Sequence, residues 1–149
     1  SFKAAITIKS RFRELIKNKT NKEVLDIERE NLKSVGITYK KVDYIKNVFK
    51  YFENTKFDFF SESKDKVIKE LTSIKGIGKW TAEMFLIFIR FDLDVFSKGD
   101  LALINSIKIN YKITNLDSNR LKEITENWAP YKTIASLLLW KSVEEKIFS

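Results

Sequence analysis

The fold is decided by residues 71–82, which read LTSIKGIGKWTA and place two glycines two positions apart. Helical patterns precede and follow this stretch, so the glycines predict a tight turn between two helices. Glycine suits such a turn because it accepts positive φ and lets another group approach the backbone closely. Leu71, Ile74 and Ile77 are the apolar residues that we expect to hold the two helices together.

The start of the second helix is predicted to bind a phosphate. Backbone N–H groups at a helix start have no partner within the helix, and the helix dipole adds positive potential there. A DNA phosphate would fit without any base being read. The predicted contacts are Lys75, Gly76, Ile77, Gly78, Lys79 and Thr81. The alternative is an ordinary connection between two helices, which a pair of glycines alone would equally allow.

The rest of the chain is predicted to be helical, which makes the fold class all-α. Apolar residues recur every three or four positions, and the predicted helices cover about residues 5–16, 25–32, 38–52, 67–71, 80–91, 100–110, 118–128 and 131–141. Gly36 suits the left-handed position that ends a helix, and Pro130 is placed in the first turn of the last helix. By residue type alone residues 84–89 could form a buried strand, but no second strand is strongly predicted, so a helix is preferred.

Composition excludes several kinds of site. The 149 residues include no cysteine and no histidine, which excludes disulfides, thiol nucleophiles, Cys/His zinc sites and Cys-ligated iron–sulfur clusters. Catalysis would then depend on carboxylates, lysines, hydroxyls or the backbone. The formal net charge is +8, and residues 1–56 carry +7 of it. This asymmetry favours a basic surface for a polyanion, with a solvated, lysine-rich surface as the alternative.

Nothing in the sequence predicts a membrane span or a secretory signal. The longest apolar run, residues 84–89, is too short to cross a bilayer. Lysines and arginines interrupt the N-terminal region where the apolar core of a signal peptide would lie. We therefore expect an intracellular protein.

Residues 71–82 resemble the helix-hairpin-helix motif of the HhH-GPD DNA glycosylase superfamily, and most of all that of the DNA-3-methyladenine glycosylase II family. The likeness continues outside the hairpin. It includes SFKAA at residues 1–5, DVFSKGDL at 94–101, WAPYK at 128–132 and LLW at 138–140.

The resemblance implies two helical lobes with a cleft between them. One lobe would be residues 1–92, with the hairpin at about 71–92, and the other residues 93–149. Helices that the family carries before this point, and the loop whose side chain is wedged into the DNA, would lie upstream of Ser1. The expected fold is thus the glycosylase fold with its N-terminal helices missing.

The resemblance assigns catalysis to Asp100, whose carboxylate would stabilise the positive charge on the deoxyribose as the base leaves. Considered alone, Asp100 could simply be the N-cap of an apolar helix. Asp92 and Asp94 are the competing carboxylates, and we interpret them as caps or solvated residues. Walls of the pocket for the extruded base are implied at Trp80, Trp140 and Tyr131, for which plain core packing is the alternative.

Trp80 also bears on the type of reaction. In relatives that cleave the DNA strand as well, a lysine at this place attacks C1′ and forms a Schiff base. Lys79 is adjacent, but one residue turns about 100° around a helix, so Lys79 should face the phosphate. We expect Trp80 and Asp100 to meet across the cleft, and we expect hydrolysis without β-lyase activity.

The predicted function is therefore excision of alkylated bases such as 3-methyladenine, in base excision repair, by a monomer that binds double-stranded DNA containing damaged bases. No cofactor is expected to be required, although the resemblance implies a monovalent Na⁺ or K⁺ at backbone carbonyls of Thr72, Ile74 and Gly76. Three alternatives stay open: a non-catalytic helix-hairpin-helix DNA-binding module, a glycosylase for mismatched or oxidised bases, and a lysine-rich adaptor for other proteins.

Overall fold

The computed structural model describes the backbone of residues 2–147 and, within it, the side chains of residues 3–144. Over these residues the chain forms helices and no strand, which confirms the all-α prediction. The helices are α1 (Phe2–Ile16), α2 (Asn21–Leu25), α3 (Arg29–Lys33), α4 (Tyr39–Asn54), α5 (Lys64–Thr72), α6 (Lys79–Phe88), α7 (Leu101–Asn110), α8 (Ser118–Glu126) and α9 (Lys132–Ile147). No helix in the described part of the chain is long and apolar enough to span a membrane.

The contacts divide the chain into two compact units. Unit 1 comprises Ser1–Ser61 and Lys69–Ile77, and unit 2 comprises Glu62–Ile68 and Gly78–Ser149. These units do not coincide with the predicted lobes, 1–92 and 93–149, which stay a prediction. Unit 2 contains both the residues that follow the glycine turn and the DVFSKGDL segment, so the candidate catalytic residues share one unit.

Unit 1 is built around α4, against which α2 and α3 pack. Thr20 forms a capping box with Glu23 at the start of α2, an arrangement that satisfies two backbone N–H groups at once. The residues buried between these helices are Val24, Leu32 and Val42. Gly36 has a φ of +110°, which confirms the predicted left-handed position after α3.

Unit 2 has a core contributed by three of its helices. α7 supplies Leu103 and Ile107, α8 supplies Leu121 and Ile124, and α9 supplies Leu139. Partly buried aromatic side chains pack around this cluster, namely Phe96, Trp128 and Trp140. The core fixes the positions of α7 and α9. The candidate site includes Asp100 at the start of α7 and Trp140 within α9.

The structure decides one local alternative and corrects two local expectations. Residues 84–88 belong to α6 and not to a strand, in keeping with the preferred prediction. Pro130 precedes α9, which begins only at Lys132, and the Ala129–Pro130 peptide bond is cis. The prediction that Pro130 lies in the first turn of that helix was therefore wrong. The predicted helix over 118–128 ends earlier, at Glu126.

Candidate active site

Asp100 begins α7 as its N-cap. Its carboxylate oxygen Oδ1 accepts a hydrogen bond from the backbone N–H of Leu103 at 3.0 Å. An aspartate suits this position because its oxygen satisfies an N–H group that has no partner inside the helix. Only 8% of Asp100 is exposed, so the charge is held in a site from which water is largely excluded.

Two indole N–H groups also point at this carboxylate. Nε1 of Trp80, in α6, donates to Oδ2 of Asp100 at 2.8 Å, and Nε1 of Trp140, in α9, donates to Oδ1 at 3.4 Å. The prediction that Trp80 and Asp100 meet is therefore confirmed by a direct contact within unit 2. The cap interpretation and the site interpretation of Asp100 hold at the same time.

These contacts keep the carboxylate ionised. Burial acts to raise the pKa of Asp100, but hydrogen bonds from Trp80, the Leu103 amide, Trp140 and the Ala102 amide outweigh it. The pKa consequently lies below its ordinary value of 3.8. A carboxylate with a lowered pKa is a weak proton acceptor, so this geometry favours stabilising a nearby positive charge over abstracting a proton.

The segment that leads to Asp100 is fixed by the first turns of α9. The backbone N–H of Thr133 donates to the Leu93 carbonyl at 2.9 Å, and its hydroxyl donates to the Asp92 carbonyl at 2.5 Å while accepting from the Val95 N–H at 3.0 Å. Thr133 is buried. Such a network holds a charged group in place before the reaction begins, which is a condition for electrostatic catalysis.

The two competing carboxylates have structural partners. Asp92 forms a two-pronged ion pair with Arg90, at 2.7 Å and 2.5 Å, and is only partly exposed, so the expectation of a solvated residue or a cap was wrong for Asp92. Oδ1 of Asp94 accepts from the backbone N–H of Lys132, the first residue of α9, at 3.3 Å. Asp94 thus acts as a cap, as expected, and neither carboxylate is a rival to Asp100.

The predicted pocket residues differ in their surroundings. Half of Trp80 is exposed, so one part of its indole can contact a ligand while its N–H contacts Asp100. Tyr131 precedes α9 and is 57% exposed, and the hydrogen bonds around Asp100 do not include it. Phe88 was not predicted, yet its ring stacks on Trp140 with centroids 5.8 Å apart. A pairing between two helices so far apart in sequence leaves no periodic signal that could have revealed it.

The start of α6 has the free amides that a phosphate site requires. Gly78 is the N-cap and offers no side-chain acceptor to the first turn. The N–H groups of Lys79, Trp80 and Thr81 therefore have no partner within the helix. A Cβ placed on Gly78 would meet nothing within 4 Å, so the backbone there is open to approach. Phosphate binding itself stays a prediction.

The preceding residues of the turn belong to unit 1 and correct part of the prediction. The N–H of Ile77 donates to the Ile74 carbonyl at 2.9 Å, so this amide is already used within the turn and is not available to a phosphate. Gly76 has a φ of +108°, and a Cβ there would lie 2.6 Å from Cβ of Tyr44 and closer still to its ring. Of the two glycines, Gly76 is thus the one that the turn requires, because Gly78 has an extended backbone with φ −94°.

We expect Trp80→Phe to reduce the dependence of stability on pH. Because the pKa of Asp100 is lowered in the folded protein, the ionised carboxylate stabilises the fold above the ordinary pKa of 3.8, and this stabilisation is lost as pH falls through the lowered pKa. Removing the Trp80 hydrogen bond raises that pKa and costs about 1.5–3 kcal/mol near neutral pH, as for hydrogen bonds to charged groups. Urea unfolding at about pH 7 and about pH 3 measures the effect.

Trp128→Phe is the matched control for this comparison, since Trp128 packs against Phe96 in the same unit. Its replacement should lower stability by a similar amount at both pH values. Equal losses at both pH values for Trp80→Phe would contradict the assigned role of its indole N–H.

Comparison with known proteins gives the chain a family. No family model matches it. It is 31% identical to DNA-3-methyladenine glycosylase 1 of Schizosaccharomyces pombe over 94% of this chain, and it spans 65% of that relative's length. It is 35% identical to the putative DNA-3-methyladenine glycosylase YfjP of Bacillus subtilis over 52% of this chain and 28% of that protein.

Solved structures agree with this likeness. A crystal structure of a DNA-3-methyladenine glycosidase from Bacillus halodurans matches with a TM-score of 0.81 and 36% identity, over 95% of this chain and 68% of the other. The 3-methyladenine DNA glycosylase Mag1 of S. pombe, in complex with abasic DNA, matches with a TM-score of 0.85 and 31% identity, over 95% of this chain and 73% of the other. The fold is thus that of the all-helical DNA glycosylases. Within that class, the chain belongs to the DNA-3-methyladenine glycosylase family.

Proposed function

We propose that this chain releases alkylated bases of the 3-methyladenine type from double-stranded DNA by hydrolysing the N-glycosidic bond, as a step of base excision repair. The observation that carries the proposal is the ionised, 8% exposed carboxylate of Asp100, which accepts hydrogen bonds from two indoles. The names of the relatives supply the base class. The chain spans less than two thirds of the length of the S. pombe relative, so the activity of the whole relative comes to this chain only as a proposal.

The reaction needs a fixed negative charge beside the sugar. When the C1′–N bond breaks, the bonding electrons leave with the base, and the deoxyribose becomes oxocarbenium-like and positive. Asp100 would stabilise that charge, and water would then add to C1′ to give an abasic site. The lowered pKa of Asp100 supports an electrostatic role, because the carboxylate stays charged at neutral pH without abstracting a proton.

The base would be bound in an extruded state, since its sugar cannot be reached inside a duplex. Alkylation at purine N3 or N7 makes the base cationic, and electron-rich aromatic faces attract such a cation. Trp80 is half exposed while its N–H contacts Asp100, so it can border both the base and the sugar. Trp140 and Phe88 form a stacked pair beside the same carboxylate. We extend the pocket to Phe88 and keep Tyr131 as a peripheral candidate.

The residue that faces Asp100 supports the proposal of a purely hydrolytic reaction. Trp80, and not a lysine, contacts its carboxylate. Lys79 instead lines a cavity of about 210 Å³ together with Glu83 and Lys98. Without an amine beside the sugar no Schiff base can form. We therefore propose a monofunctional enzyme of the glycosylase II type, without lyase activity.

The start of α6 would bind the DNA backbone. The free amides of Lys79, Trp80 and Thr81 would bind a backbone phosphate, with the charge of Lys79 beside them. Lys75 and the Gly76 amide, which lie in unit 1, remain predicted phosphate contacts, whereas Ile77 is withdrawn because its N–H donates to the Ile74 carbonyl. The net charge of +8 would make binding fall steeply with salt.

The remaining proposals concern the setting of the reaction. We propose a monomer inside the cell that requires no cofactor for the chemistry. The monovalent cation at the carbonyls of Thr72, Ile74 and Gly76 is kept as a proposal on chemical grounds, since carbonyl oxygens suit Na⁺ or K⁺ and the chain has no cysteine or histidine. The Ile74 carbonyl already accepts the Ile77 N–H and would offer its second lone pair to the ion.

The direct test is a base-release assay. DNA alkylated with a methylating agent is incubated with the protein, and free 3-methyladenine and 7-methylguanine are quantified by chromatography. We expect release of free base, strands that stay intact until alkali is added, and no adduct trapped by borohydride. Absence of free base, with salt-sensitive DNA binding retained, would support the non-catalytic binding module instead. A trapped adduct would refute the monofunctional proposal.

A further inference from the structure

A buried hydrogen bond next to the candidate site is not used by the proposed chemistry. The hydroxyl of Ser97 donates to Oε2 of Glu83 at 2.5 Å. Ser97 is 0% exposed and Glu83 is 6% exposed. Ser97 lies in the segment that leads to Asp100, whereas Glu83 lies in α6, so the bond connects the segment to the helix.

The bond runs alongside the contact between Trp80 and Asp100. Trp80 and Glu83 are three residues apart, which places them on neighbouring parts of one helix face. Their partners, Asp100 and Ser97, are also three residues apart. The backbone N–H of Asp100 further donates to the Ser97 carbonyl at 3.1 Å, which closes a turn over these four residues. Ser97 is therefore held by α6 through its side chain and holds Asp100 through its backbone.

Because burying a carboxylate is energetically costly, Glu83 is expected to do more than fill space in the core. A carboxylate taken out of water is unfavourable unless it is paired or hydrogen-bonded, and an apolar residue would fill the same space without that cost. Glu83 also borders the cavity lined by Lys79 and Lys98. What an apolar residue could not supply is a directional acceptor for Ser97.

We infer that Glu83 and Ser97 are positioning residues, which fix the turn that places the Asp100 carboxylate against Trp80. This inference rests on the proposed function for its kinetic consequence, because a small displacement of a catalytic group costs a large part of the rate. Its structural consequence does not depend on activity. Without the Glu83–Ser97 bond, the hydrogen bond between the Trp80 indole and Asp100 becomes longer.

The test compares Ser97→Ala with Ser106→Ala. Ser106 is an equally buried serine of unit 2, whose hydroxyl donates to the Leu139 carbonyl at 2.9 Å, so its loss costs a buried hydrogen bond away from the turn. For Ser97→Ala we expect a single-turnover rate of base release lower by about 10- to 100-fold, with the affinity for alkylated DNA within about twofold. For Ser106→Ala we expect the rate of the original protein.

The second readout is the indole N–H resonance of Trp80 in a ¹⁵N-edited NMR spectrum, assigned with Trp80→Phe. In Ser97→Ala it should move upfield as its hydrogen bond weakens, and in Ser106→Ala it should not move. Glu83→Gln keeps an acceptor but removes its charge, so it should give a smaller shift in the same direction and a rate loss of about threefold to tenfold.

The outcomes separate the inference from the proposed function. An unmoved Trp80 resonance in both Ser97→Ala and Glu83→Gln would overturn the inference, even if the protein releases bases as proposed. A moved resonance in a protein that releases no base would support the positioning of Asp100 and refute the glycosylase proposal alone. Equal rate losses in Ser97→Ala and Ser106→Ala would also overturn it, since they would reflect general destabilisation. Should Ser97→Ala not fold, Glu83→Gln decides by the same two readouts.

Discussion

Asp100→Asn should reduce the release of 3-methyladenine by about 10³-fold or more. Loss of a single neutral donor to a developing charge costs about 10²- to 10³-fold, and here a full negative charge disappears from a site that is 8% exposed. The amide also brings a donor towards the N–H of Trp80, which now contacts a carboxylate oxygen at 2.8 Å. Quantifying free base under single-turnover conditions measures the loss.

Asp117→Asn is the matched control, because Asp117 caps α8 in the same way that Asp100 caps α7. Its Oδ1 accepts from the Arg120 N–H at 2.8 Å, and asparagine caps helices about as well as aspartate. This variant should retain the full rate. Asp100→Asn should still bind alkylated DNA, since the proposed phosphate contacts lie at the start of α6 and not at Asp100. Base release by Asp100→Asn at a rate close to that of Asp117→Asn would show that the carboxylate is not the catalytic group.

Gly76→Ala should destabilise unit 1 by about 2–5 kcal/mol. Alanine in the left-handed region costs about 1–2 kcal/mol, and the φ of Gly76 is +108°. The added Cβ would also overlap the ring of Tyr44, and overpacking of this kind typically costs a further 1–3 kcal/mol. Urea unfolding followed by circular dichroism measures the loss.

The second glycine of the turn gives the opposite result and serves as the comparison. Gly78→Ala adds a Cβ that meets nothing within 4 Å, on a backbone with φ −94°, so stability should change by less than about 1 kcal/mol. The methyl group would instead occupy the open approach to the amides at the start of α6. We expect weaker DNA binding in Gly78→Ala without loss of stability. A Gly78→Ala protein that binds DNA as tightly as the original would argue against a phosphate at this helix start.

The spacing of residues in the sequence predicted those features whose residues lie close together along the chain, and it did not predict contacts between residues far apart. The tight turn and the helix after it were predictable because glycines, apolar spacing and a helix start all fall within residues 71–82. The contact of Trp80 with Asp100 was predicted from the resemblance, since the two residues are twenty positions apart and no spacing rule in the sequence would bring them together. The structure then supplied the physical reason, a hydrogen bond to a helix cap.

Other features could not be predicted because they depend on side chains brought together by tertiary structure. The Glu83–Ser97 bond and the Phe88–Trp140 stack join residues from different elements. The different roles of the two glycines were also hidden, because only the backbone φ and the neighbouring ring of Tyr44 distinguish them. The ion pair of Asp92 with Arg90 shows the same limit, since proximity in sequence did not reveal that the pair is partly buried.

The position of Asp100 at the first turn of α7 has a consequence for protein engineering. A carboxylate on a long, mobile side chain could be moved to another scaffold by itself, but this one is oriented by the helix that it starts. To transfer this carboxylate to another scaffold, a designer would have to transfer the first turn of α7 as well. The indoles of Trp80 and Trp140, which donate to the carboxylate from other helices, would have to be transferred with it. Moving the aspartate by a single position would lose both its orientation and its hydrogen bond to the helix start. The smallest structure that could be transferred is therefore the start of α7 together with the parts of α6 and α9 that contact it.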